Sequence, residues 1–448
     1  NEPDLIGFAN FTPEEYLQLL KISSSVLRKT IPGITVISAG FASPDLNPPE
    51  RTADPHYVRK CVEGGRGLYD LFAVHMHTRP ERYREYYVKN LLRFRQELND
   101  TTPWYSNETA LASFGEISEL NQAETLFLNL FCAWNNGAAG YNWYNLRNIK
   151  EDPGDPEANY GMLTWDFQPK KVYAAYNTLA RYFRGAKLVR HSESTPLFHA
   201  ADGSWLIPCS TTEERNRHAL LLFTGIRGEA TRIDLWGNRE KLPVSGGIAL
   251  LKSTGHPAIL QVKGQPTPPE PAGELLRVAP NFRLLPGREV KSSIECRNPA
   301  RIPLKLALAF HAPTGLAVTP ASRTVTIPPG ETRSLSFAFR AEKECRADAL
   351  KLDVTAGTLW KGSLPLRLET VIPIPAGNFS REPQFRVNRP EQVTSFVSVE
   401  DATAPLQWKG PADLSAELFL ARGDRELRLR FRVRDDIHHQ PFSGREVW

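Results

Sequence analysis

The chain has 448 residues, with 55 Lys+Arg against 50 Asp+Glu; a net charge of +5 with no basic block argues against electrostatic capture of nucleic acid or an anionic membrane. At about 150 residues per domain the length points to roughly three domains, and 41% hydrophobic residues supply several packed cores, which excludes a disordered chain. Thirty-six prolines exclude long coiled coils and favour short, turn-rich elements. No apolar run of about 18 residues occurs, so no membrane span is expected. The sequence opens at Asn1, without Met, and stops at Trp448, and so reads as a piece of a longer protein.

Residues 1–189 alternate short apolar runs with amphipathic stretches. Pro13-Glu14-Glu15 opens a helix that runs through Leu17, Leu20, Ser24 and Leu27, and Gly33 to Ala39, rich in β-branched residues, reads as a buried strand. Leu71 to His75 reads as a strand, Glu81 to Leu98 as a helix, Pro103 to Ser106 as a strand and Glu116 to Trp134 as a helix. A short strand around Ala139 to Tyr144 and a helix from Lys170 to Phe183 follow. This strand-helix rhythm predicts a parallel α/β barrel or a doubly wound sheet.

Beyond Val189 the helical period disappears, so the fold class is α/β followed by all-β. Residues 190–264, with strands at Ala219 to Phe223 and Ala258 to Val262, form a small β-sandwich, and the proline-rich stretch 265–273 reads as an extended linker between independently folded units. Regularly spaced strands at Leu304 to Phe310, Leu335 to Phe339 and Leu364 to Leu368 make residues 274–372 an Ig-like β-sandwich. Residues 376–448 are a further, truncated β-domain. The five cysteines, Cys61, Cys132, Cys209, Cys296 and Cys345, form no C-x-x-C pair; they read as buried thiols, with Cys296 and Cys345 the one pair placed in a common domain.

The common nucleotide-binding, zinc-protease and serine-hydrolase motifs are absent. Two carboxylates stand out instead: Glu2 in Asn1-Glu2-Pro3, and Glu108, which follows the strand-like Pro103 to Ser106. At the C-terminal ends of barrel strands, two carboxylates serve as an acid/base and nucleophile pair. His75-x-His77 is the rival constellation, since its period-2 spacing puts both imidazoles on one strand face as metal ligands. Only His56 joins them before residue 190, so a metal centre is not expected and a metal-dependent barrel hydrolase is the weaker alternative.

In these motifs the first part resembles the clan A retaining glycoside hydrolases, (β/α)8 barrels whose acid/base is the Glu of an Asn-Glu pair ending strand four and whose nucleophile is a Glu ending strand seven. Asn1-Glu2 matches the first and Glu108 the second. The His-x-Tyr that ends the family's strand six is matched by His75, with His77 in place of the tyrosine that hydrogen-bonds the nucleophile. Trp143 in Gly140 to Tyr144 matches the strand-eight Trp under the sugar, and Asp166 to Tyr173 resembles the lead into the last helix. The resemblance covers residues 1–189 and implies the second half of a TIM barrel, with Glu2 and Glu108 catalytic and Asn1, His75, His77 and Trp143 binding a carbohydrate substrate. It further implies carboxyl groups about 5 to 5.5 Å apart, as double displacement requires. With part of the barrel missing, the chain by itself is expected to be inactive.

The last domain resembles family 9-like carbohydrate-binding modules, with Trp408 and Trp448 as candidate sugar platforms and Asp435-Asp436 as a candidate structural calcium site. No other cofactor is expected. The resemblance implies a secreted or periplasmic protein; a non-catalytic carbohydrate-binding protein is the alternative.

Overall fold

A computed structural model describes residues 1–8, 11–42, 54–152, 154–209, 218–253, 256–278, 281–284, 287–342, 349–370, 374–388, 410–412 and 414–435. Cys345, Trp408, Asp436 and Trp448 lie outside them.

The first helix, α1 (Pro13–Thr30), starts where the sequence places it because Thr12 and Glu15 form a reciprocal capping box and Pro13 occupies the first turn. The Thr12 hydroxyl accepts from the Glu15 N–H at 3.2 Å, and the Glu15 carboxylate accepts from the Thr12 N–H at 2.8 Å. Next come α2 (Tyr57–Gly64) and strand β1 (Phe72–His75). The helix predicted over 81–98 consists of α3 (Pro80–Arg82), a π-helical stretch (Tyr83–Val88) and α4 (Lys89–Glu97). Strand β2 (Trp104–Thr109), α5 (Glu119–Asn135), β3 (Ala138–Trp143) and α6 (Lys171–Phe183) complete the α/β part.

The strands β1, β2 and β3 lie side by side, in sequence order and parallel. Segment 36–41 adds a fourth member through parallel bridges Ile37 to Leu71 and Phe41 to Val74. It is not the buried strand expected over 33–39: Val36 and Ser38 are buried, but Ile37 is 40% exposed. The N-terminal stretch is bonded to this segment, with the Glu2 N–H donating to the Gly40 carbonyl at 3.0 Å. Beneath the sheet, Phe41, Phe72, Val74, Phe94 and Trp104 are almost fully buried. Along one face of α1, Leu19, Ile22 and Val26 are 48%, 56% and 57% exposed, an apolar stripe with nothing over it among the described residues.

A six-stranded antiparallel sheet follows, built from Lys187–Arg190, Leu197–His199, Trp205–Cys209, Ala258–Lys263, Glu229–Asp234 and Arg239–Leu242 in that spatial order. It is fixed to the α/β part by an aromatic cluster in which Phe198 meets Phe131, Trp134 and Phe183 at ring separations of 5.6, 4.8 and 5.2 Å.

The expected linker 265–273 is a correction. Glu270–Val278 is a strand that pairs with His218–Thr224 and Glu289–Arg297 inside a second six-stranded sheet. Just before it, Gln265 is buried; its side-chain oxygen accepts from the N–H groups of Arg227 at 2.7 Å and Gly228 at 3.0 Å, and its amide donates to the Gly225 carbonyl at 3.1 Å. The units expected on either side of a linker therefore share one sheet, and one core holds Leu220, Leu250, Leu276, Leu306 and Leu366 together. The prolines tolerate this because a register shift at Pro271/Gly273 relieves the ladder where Pro271 lacks a donor.

Residues Leu304–His311, Ser322–Ile327, Ala349–Ala356, Trp360–Thr370 and Asn281–Leu284 form the opposing five-stranded sheet. A three-stranded sheet of Phe385–Val387, Leu414–Arg422 and Leu427–Asp435 ends the described chain. Cys61, Cys132, Cys209 and Cys296 are free thiols. Among the described residues no helix is long and apolar enough to cross a membrane.

Candidate active site

Parallel pairing brings the sequence-predicted residues to one end of the small sheet. A register irregularity after Val74 sets His75 directly opposite Glu108, and Thr109 stands opposite Trp143 on the next strand. Glu108 is inside β2 rather than after it. Glu2 hangs on Gly40 through its N–H, so the N-terminal stretch brings its carboxylate to the edge where β1 and β2 place His75 and Glu108.

His75 is the hub. Its side chain is 2% exposed; Nδ1 lies 2.9 Å from Glu2 Oε1 and Nε2 lies 3.5 Å from Glu108 Oε2. Its close seat requires a glycine at position 40. The Nε2 of His77 is 3.3 Å from the other Glu108 oxygen, while its Nδ1 is buried with no hydrogen-bond partner among the described residues. Donating through Nε2–H is therefore the arrangement its surroundings support. Tyr144 and Tyr160 hold the His77 ring, with centroids 5.7 and 5.5 Å away.

Burial opposes ionisation of Glu108, but the His77 hydrogen bond and the charges of His75 and His77 outweigh it and hold the carboxyl below its ordinary value. Asp4 behaves in the opposite way. Although both its oxygens accept from the Ala42 N–H, at 3.0 and 3.1 Å, burial pushes it up to about 6. Glu2 itself takes a φ of 43°, left-handed backbone that residues with side chains seldom adopt.

Trp143 is 8% exposed, and its indole N–H donates to the Tyr160 carbonyl at 3.3 Å. Asn1 is exposed at the edge of the cluster. One oxygen or nitrogen each from Glu2, His75 and His77 lies within 4.8 Å of the others, a grouping that adds Glu2 to the His75-x-His77 pair of the metal alternative.

Sequence reasoning did not single out Asp4, Gly40, Tyr144 or Tyr160. The first two sit one short step from quoted motifs, two residues after Glu2 and on the segment that pairs with β1; the tyrosines carry no local signal, since their rings meet His77, which is distant in sequence.

No family model matches the chain, and no curated protein matches it. Among solved structures the chain is similar to a family 39 glycoside hydrolase from the gut symbiont Bacteroides cellulosilyticus WH2, at 21% identity, 59% of this chain, 57% of that chain and a TM-score of 0.45. It is also similar to a glucosidase from Croceicoccus marinus, at 11% identity, 59% of this chain, 68% of that chain and a TM-score of 0.45. An exo-β-1,4-mannosidase from Opitutaceae bacterium strain TAV5 matches at 14% identity, 38% of this chain, 33% of that chain and a TM-score of 0.27. The match thus spans little more than half of the first of these proteins, 57%.

Proposed function

We propose that residues 1–189 are the second half of a (β/α)8 barrel and carry both catalytic carboxylates of a retaining glycoside hydrolase, Glu108 as nucleophile and Glu2 as acid/base. The position of His75 between the two carboxylates is the observation that carries this reading. One imidazole thus reaches both carboxylates, and its charge together with the His77 hydrogen bond holds Glu108 below its ordinary value, which favours the ionised form that a nucleophile needs. The half-barrel reading is supported by the parallel order of 36–41, β1, β2 and β3 and by the uncovered apolar stripe on α1.

In the first step Glu108 attacks the anomeric carbon while Glu2 gives its proton to the glycosidic oxygen, and the aglycone leaves with that proton. A glycosyl ester on Glu108 remains. Glu2, now a carboxylate, takes a proton from water, which attacks the anomeric carbon and frees Glu108. Asn1 binds the sugar 2-hydroxyl, His77 steadies the nucleophile's charge, and Trp143 lies under the sugar. The substrate is a polysaccharide or glycoside met outside the cytoplasm, and the chain of 448 residues alone turns over little or none of it, because an open barrel leaves its site incomplete.

Assay of the full-length protein on a panel of aryl glycosides tests this. Glu108→Ala should abolish hydrolysis and Glu2→Ala should slow it most for poor leaving groups; no hydrolysis of any member by the folded wild type favours the carbohydrate-binding alternative. The grouping of Glu2, His75 and His77 favours a second reading, a metal-dependent hydrolase. Loss of activity in a chelator, restored by added metal, would select it.

A further inference from the structure

The loop between β3 and α6 bears a group that the mechanism above does not use. Its root is a short paired segment in which Met162 N–H donates to the Asn145 carbonyl at 3.0 Å and Leu163 N–H to the Leu146 carbonyl at 2.9 Å. Gly161 permits this, since a Cβ there would fall 2.2 Å from the Asn148 nitrogen. Beyond the root, residues 164–168 form a tight turn, closed by Thr164 N–H to the Gln168 carbonyl at 2.9 Å, with Phe167 in left-handed backbone at φ 66°. The turn presents two aromatic rings, Trp165 at 42% and Phe167 at 63% exposure.

The guanidinium carbon of Arg147 lies over both rings, 4.3 Å from the Trp165 centroid and 4.4 Å from that of Phe167. Those contacts fix the guanidinium plane and use none of its N–H groups. Among the described residues the Arg147 side chain makes no hydrogen bond or ion pair, and Asp166, the acidic group between the two aromatics, accepts from the Thr164 hydroxyl instead. A planar fork of donors, oriented by stacking and left unspent, matches a carboxylate, which it can bind with two parallel hydrogen bonds. Exposed rings beside it match the apolar face of a sugar.

Position ties this group to the catalytic edge. A loop that follows a strand leaves from that strand's C-terminal end, the end at which Glu108 lies on β2. Tyr160, five residues before Trp165, touches His77, so an extended chain puts Trp165 within about 17 Å of that contact.

We propose that Arg147, Trp165 and Phe167 form a subsite that reads the carboxylate of a uronic acid residue in the substrate. Its use in hydrolysis rests on the glycosidase reading; binding itself needs neither Glu2 nor Glu108.

The test is binding of sodium glucuronate and of glucose to the chain of 448 residues, followed by saturation-transfer NMR. Wild type should bind glucuronate about tenfold or more tightly than glucose, by the usual strength of charged hydrogen bonds. Arg147→Met should erase that preference, and Arg147→Lys, which keeps the charge without the fork, should retain part of it. Glu108→Gln should leave it intact, so a failed hydrolase and a failed subsite give different results. Equal binding of the two sugars by wild type, binding of neither, or a full preference in Arg147→Met would each overturn the proposal.

Discussion

A methyl group added to Gly40 would fall 1.9 Å from the Nε2 of His75 and 2.5 Å from its Cδ2, so the imidazole that joins the two carboxylates is seated against a bare backbone. Gly40→Ala must push His75 away, because the glycine is held by the Glu2 N–H on its own carbonyl. A displacement of about 1 Å in a catalytic group costs on the order of a hundredfold in rate. The expected result in the full-length protein is a fall of that size in kcat/KM with an unchanged far-UV circular dichroism spectrum. A fully active Gly40→Ala variant would mean that His75 need not sit where it does.

His77 should set the acid limb of the rate profile. The Glu108 carboxyl lies below its ordinary value partly because His77 donates to it, so His77→Ala raises that value. Since Glu108 acts ionised, the acid limb of kcat/KM should move to higher pH. His77→Tyr, which restores a neutral donor, should move it back toward wild type. An acid limb unmoved in His77→Ala would remove His77 from the nucleophile's surroundings.

Asp4 makes a signed contribution to stability. Its value is raised from 3.8 to about 6, so the native state holds a proton that the unfolded chain has lost between those pH values. Stability from this group is full below about 4 and is lost as pH rises through about 6, a difference on the order of 3 kcal/mol. Asp4→Asn keeps an acceptor for the Ala42 N–H and should flatten the fall in denaturation midpoint over that window. The same slope in both proteins would show that Asp4 is not buried as described.

Much of the site could be read from sequence because it rests on local signals. His75-x-His77 and Glu108 lie at the ends of segments whose composition already marks a strand, and parallel order places them together, whereas Asn1-Glu2 is legible only as a motif. What stayed hidden depends on contacts between distant residues. The 265–273 stretch looks extended and solvated by its prolines, yet the pairing of Glu270–Val278 with His218–Thr224 and the three bonds of Gln265 are long-range and leave no local pattern. The same holds for segment 36–41, whose β-branched residues announce a buried strand although Ile37 is 40% exposed.

Gln265 gives that correction a test. Truncation by Gln265→Ala leaves two backbone N–H groups and two carbonyls, those of Gly225 and Thr267, without their partner, a loss of roughly 2 to 4 kcal/mol at about 1 to 3 kcal/mol for each unsatisfied group, partly regained from water. Chemical denaturation should show that loss, and limited proteolysis of wild type should spare 265–273. A preferred cut there would restore the linker.

The central claim is that Glu108 is the nucleophile, and the most direct measurement is to trap it. A 2-deoxy-2-fluoro glycoside with a good leaving group forms its ester quickly and loses it slowly, because fluorine destabilises the oxocarbenium-like transition states and the leaving group rescues only the first step. Incubated with the full-length protein, using the sugar that the panel identifies, the reagent should inactivate it and add one fluoroglycosyl mass to the peptide that contains Glu108. The Glu108→Gln variant should take up none. Labelling of another carboxylate, or rapid turnover of the normal substrate with inverted stereochemistry and no adduct, would contradict the account.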